Sequence, residues 1–134
     1  MKLDWEGLTV AFAARSRQMN HFLDLETGDV HAHLSGAAEL RAALEHEREG
    51  RYLRIPKSTP EIDTVRARAF AARIARESTR TKALDALEAE GVNAFRVALV
   101  DSPEDESAWF VFRDRRVREE LKEWLRRKNI PLES

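Results

Sequence analysis

His31 and His33, separated by one residue, are the side chains whose type and spacing first suggest chemistry. On a β-strand, residues two apart point to one side. Pairing a strand of Val30, Ala32 and Leu34 with one of Leu23 and Leu25 across the turn Glu26-Thr27-Gly28-Asp29 places Asp24 opposite His31 on that side. Two imidazoles and a carboxylate are a donor set for zinc or iron, so Asp24, His31 and His33 define one alternative, a metal-dependent hydrolase or nuclease. A His-x-His pair on the open face of a small sheet also costs nothing to leave unligated, and this plainer reading is preferred. No metal and no cofactor is therefore assigned. Phe22 shares the face, making Phe22, Asp24, His31 and His33 a candidate contact surface if it is uncovered. Nothing in the sequence places His21 or His46 near it, and each is read as a surface or partly buried side chain.

Arginine supplies the second constellation. Residues 64–82 hold six basic groups against Glu77, a local charge of +5, and residues 83–106 hold seven acids against Arg96, a charge of −6. If the first stretch is one helix, Arg66, Arg73, Arg76 and Arg80 fall in one broad stripe able to follow phosphates or an acidic partner. The competing reading is that neighbouring acidic helices neutralise the stripe within the fold. The aromatic residues Trp109, Phe112 and Trp124 sit at core spacing, not as stacking platforms. Near the C-terminus, Arg113, Arg115, Arg116, Arg118, Lys122, Arg126, Arg127 and Lys128 are interleaved with Asp114, Glu119, Glu120 and Glu123, a pattern of helix-surface ion pairs. Asp101, Glu104, Asp105 and Glu106 read as a solvated helix-capping cluster. The chain carries no nucleophile elbow, P-loop, H-E-x-x-H or dinucleotide fingerprint.

The elements that would position these groups follow from periodicity and punctuation. Asp4 caps a helix with Trp5, Leu8 and Phe12 on one stripe. The hairpin follows, with Leu25 paired to Val30, Leu23 to Ala32 and His21 to Leu34, which gathers the aliphatic residues on one face. Ser35 is placed to cap a second helix that Gly50 ends, and residues 51–55 form a third strand stopped by Pro56. Thr59-Pro60-Glu61 starts a helix whose expected buried stripe is Ile62, Val65, Ala69 and Ala72, with a break near Ser78-Thr79. Asn93 is expected to cap a short helix and Ser102-Pro103 to open the last helical region, recapped at Asp114 after a bend. The expected fold is α+β: one mainly helical domain over residues 1–134, with a small three-stranded antiparallel sheet packed on helices.

With 134 residues, 43% hydrophobic and 35% charged, the chain has material for one densely charged globular domain. The 23 basic and 24 acidic residues nearly cancel, so bulk charge does not attract the chain to nucleic acid or an anionic membrane. Cysteine is absent, which rules out disulfides and thiolate chemistry and fits a reducing, cytoplasmic setting. Acids in Asp4-Trp5-Glu6 interrupt any signal peptide, and Gly7 to Ala14 is too short an uncharged run to span a bilayer. The 18 arginines against 5 lysines fit either bidentate anion binding or biased codon usage.

Asp4-Trp5-Glu6, the run Phe22-Leu23-Asp24-Leu25-Glu26-Thr27-Gly28-Asp29-Val30, and Arg51-Tyr52-Leu53-Arg54-Ile55-Pro56 together resemble a small bacterial family described only as uncharacterised, number 0158 of the UPF series. Ala94-Phe95-Arg96, Trp109-Phe110-Val111-Phe112 and Glu123-Trp124-Leu125 extend the resemblance over nearly the whole chain. The resemblance implies a bacterial, intracellular protein and brings no catalytic residue, cofactor or activity with it. The favoured expectation is a non-enzymatic macromolecule-binding or regulatory module with a protein partner. Nucleic-acid association through the arginine stripe and the metal hydrolase are the alternatives, and self-association is left open.

Overall fold

A computed structural model describes residues 1–132. Its elements run α1 (Trp5–Ala13), β1 (Met19–Asp24), β2 (Val30–Leu34), α2 (Ala38–Arg48), β3 (Tyr52–Arg54), α3 (Pro60–Ala71), α4 (Glu77–Glu90), α5 (Val92–Ala98) and α6 (Pro103–Arg127). The class is α+β as expected, mainly helical with a three-stranded antiparallel sheet in the order β2-β1-β3. Among the described residues no helix is long and apolar enough to cross a membrane. The chain divides into two compact units, Met1–Ser58 with Arg118–Ser134, and Thr59–Val117.

In the first unit the sheet separates two environments. Leu23 faces Val30 on one neighbour and Leu53 on the other. With Leu3, Leu8, Ala11, Ile55, Leu121, Trp124, Leu125 and Ile130 they form a core. Asp4 starts α1 as expected, its carboxylate accepting the Gly7 N–H at 2.9 Å. The opposite face of β1 carries Phe22 and Asp24.

The hairpin register differs from expectation by two residues: Leu23 pairs with Val30, His21 with Ala32 and Met19 with Leu34. The reason lies in the turn. The Asp24 carboxylate accepts the Glu26 N–H at 2.9 Å, and the Asp24 carbonyl accepts the Gly28 N–H at 2.8 Å, so the chain turns immediately after Asp24. Gly28 has φ 83°, and a Cβ there would lie 2.1 Å from the Lys2 carbonyl oxygen. An even shift preserves which side chains share a face. Ser35 does not cap α2; Ala37 takes that place, while the Ser35 hydroxyl accepts the Asn20 amide at 3.0 Å.

In the second unit Thr59 caps α3 through the Ile62 N–H at 3.1 Å, with Pro60 in the first turn as expected. Its expected buried stripe is displaced around the helix. Asp63, Arg66, Ala67, Phe70 and Ala71 face inward, whereas Ile62, Val65 and Ala72 are exposed and Ala69 is partly buried. The chain breaks over residues 72–76, where i to i+3 bonds from Arg73 and Ile74 tighten the turn, so Ser78 and Thr79 lie inside α4. Gly91, not Asn93, precedes α5 as its cap. The rings of Phe70, Phe95, Trp109 and Phe112 pack at centroid separations of 5.3–6.5 Å, within the range aromatic pairs favour.

The last helix is not recapped at Asp114. Residues 104–127 contain neither glycine nor proline, so α6 runs unbroken for 25 residues. Trp109 and Phe112 belong to the core of the second unit, and Leu121, Trp124 and Leu125 to that of the first.

Candidate functional site

The structure brings part of the candidate contact face together and covers it. Phe22 is 0% exposed, so the uncovered surface expected of a docking face is not present there. Its ring lies 5.8 Å from Tyr52 and 6.2 Å from His33, and the Arg54 guanidinium sits 5.1 Å above it. Arg54 in turn holds Glu47 of α2 through two bonds of 2.9 and 3.0 Å. Tyr52 stacks on His31 at 5.2 Å and 15°, and meets His46 of α2 at 4.9 Å. His46, partly buried as expected, thus joins this cluster, a neighbour that the sequence did not point to.

Asp24 is the buried charge of the face. In the observed register its cross-strand neighbour is Tyr52, and His31 lies opposite Phe22. Arg51 reaches the carboxylate at 3.2 Å from one terminal nitrogen, with a weaker approach of 3.5 Å from Nε. Burial would raise the Asp24 carboxyl, but bonds from Arg51 and from the Glu26 and Thr27 backbone outweigh it and hold the pKa at about 2. A carboxylate so acidic stays ionised near neutrality, and it ties the hairpin turn to Arg51 at the start of β3.

The His31 Nε2 lies 3.5 Å from Asp24 and makes no hydrogen bond to it. His33 is placed against Phe22 instead of completing a ligand set, and among the described residues no group of three His, Asp or Glu side chains could hold a metal ion. The geometry lends the Asp24-His31-His33 metal alternative no support, because the carboxylate that it needs is engaged by Arg51. His21 lies on the other sheet face beside Val30 and Ala32, and burial, aided by Lys57, lowers its pKa.

The four arginines of the second constellation do not form one stripe, because the chain breaks between α3 and α4. Arg66 is buried and contacts Asp63 at 2.8 Å. Arg73 lies over the Phe112 ring at 4.8 Å. Arg76 precedes α4, beside Asp101, Glu104 and Asp105. Arg80 donates to the Ile74 carbonyl at 2.8 Å. Neutralisation by the acidic stretch is visible at Arg68 with Glu88 (2.7 Å) and Lys82 with Asp101 (3.3 Å).

Asp63, fully buried, joins Arg66 to Arg113 of α6, whose Nε and terminal nitrogen reach its two oxygens at 3.0 Å each. Burial would raise its pKa, but the bonds from Arg113 and Arg66 lower it. Nothing in the spacing of Asp63 and Arg113 announces this pairing across 50 residues. Arg51 was more accessible to sequence reasoning, since a basic residue beside β3 is a natural partner for an acid at the end of β1.

No curated protein and no solved structure matches the chain. The sequence model described as Uncharacterised protein family (UPF0158) matches residues 1–133, and the chain belongs to that family.

Proposed function

We propose that the chain is a non-enzymatic binding module of the bacterial cytoplasm whose protein partner docks on the outward side of α3. The observation that carries this reading is the inverted character of that helix. Its inner side holds the ion cluster of Asp63, Arg66 and Arg113, while Val65 is 63% and Ile62 40% exposed. With Ala69 and Ala72 these residues recur at helical spacing along one side. An apolar side turned to solvent lowers its free energy when a partner covers it. The acidity of Asp24 and the internal engagement of Asp63 also favour a scaffold over acid–base catalysis.

The test compares wild type with Ile62→Asp/Val65→Asp by sedimentation over a concentration series and by affinity capture from a bacterial lysate. The reading expects an assembled species, self-associated or with a captured chain, that the double variant loses while its circular dichroism is unchanged. Assembly indifferent to both substitutions, or no assembly under any condition, overturns it.

A further inference from the structure

The first unit carries a groove of about 440 Å³ lined by Trp5, Arg118, Lys122, Arg126 and Leu132. The cations recur every four residues of α6, which places them on one side about 6 Å apart along the axis. Leu121, Trp124 and Leu125 point into the core, so the helix is held while its cationic side stays exposed. Arg126 has only a 3.8 Å approach to Glu123, with both side chains more than half exposed, a pair that an anionic ligand can displace. Trp5 forms an aromatic wall, held half-buried by the capped start of α1.

We propose that this groove binds single-stranded nucleic acid, with phosphates on Lys122 and Arg126 and a base stacked on Trp5. A row of cations alone would suit any polyanion; the indole beside it is what favours a strand with exposed bases, because stacking is tolerant of sequence and needs an aromatic platform next to a charged track. A duplex keeps its bases stacked internally and cannot use that wall. The site shares no residue with the α3 surface or with the four arginines of residues 66–80, and goes beyond the protein-binding role.

Fluorescence anisotropy with labelled 15-nucleotide single-stranded DNA and RNA, titrated with salt, tests it on the full chain. Two phosphate contacts predict a slope of log affinity against log salt near −1.4, which Lys122→Gln/Arg126→Gln brings to about zero. Both residues are exposed, so this variant keeps its fold, as circular dichroism verifies. Trp5→Phe retains binding and Trp5→Leu weakens it. Preference between the DNA and RNA arms identifies the natural strand, and saturable binding of either supports the site. Affinity unchanged in the double glutamine variant, equal competition by polyglutamate, or no binding of either strand at low salt overturns the proposal. None of these outcomes bears on the Ile62 and Val65 surface, so the two readings fail separately.

Discussion

Replacing Asp24 by Asn removes a charge from a buried position while keeping the shape of the side chain. In the wild type the folded carboxyl titrates at about 2, against an ordinary value of 3.8. That difference corresponds to about 2.5 kcal/mol at neutral pH. Arg51 is 36% exposed, so solvent screening reduces the expected loss to about 1–2 kcal/mol. The sign follows from proton binding. Above about pH 5 both folded and unfolded chains hold the carboxylate ionised, and the stabilisation is complete. As pH falls from about 5 to 1, the unfolded chain takes up the proton first, and the contribution is lost. Urea unfolding of wild type and Asp24→Asn at pH 6 and pH 3 measures this, because titration of the remaining carboxylates largely cancels between the two proteins. The stability gap at pH 3 is expected to be about half that at pH 6. A gap of the same size at both pH values would show that shape or turn geometry, not ionisation, makes Asp24 valuable, and would refute the reasoning.

Gly28→Ala forces a side chain into a positive φ and against the Lys2 carbonyl, and is expected to cost about 1–3 kcal/mol or more in chemical denaturation, with Gly36→Ala, open around its Cβ, as the milder comparison. Asp63→Asn withdraws the carboxylate held by both Arg66 and Arg113 and is expected to destabilise by about 3–5 kcal/mol in the same assay. Replacing the cluster together by Leu at 63 and Met at 66 and 113 should recover most of that loss, because the apolar triple leaves no buried charge behind.

Much of the architecture was legible because it is written in local chemistry. Asp4 and Thr59 cap helices by bonds that reach only three residues along the chain, and Gly28 and Gly50 mark reversals that positive φ requires. Alternation assigned Phe22, Asp24 and His31 to one sheet face even though the pairing slipped by two, since period two is insensitive to an even shift. The register itself depended on the Asp24 side chain capturing a backbone N–H, an option that periodicity does not represent.

The side of α3 that faces inward was not legible by the same means. Hydrophobicity points Ile62 and Val65 to the core, but a carboxylate shared by two guanidiniums satisfies itself in the interior, and Arg113 arrives from 50 residues away to complete it. The ion pairs expected along α6 do occur, as between Arg126 and Glu123, but spacing within one helix does not place Trp5, from the opposite end of the chain, beside Lys122 and Arg126. Local sequence set the starts of α1, α3 and α6, the two faces of the sheet and the family. Which charges are neutralised was settled only on folding, because that depends on partners distant along the chain that meet only then.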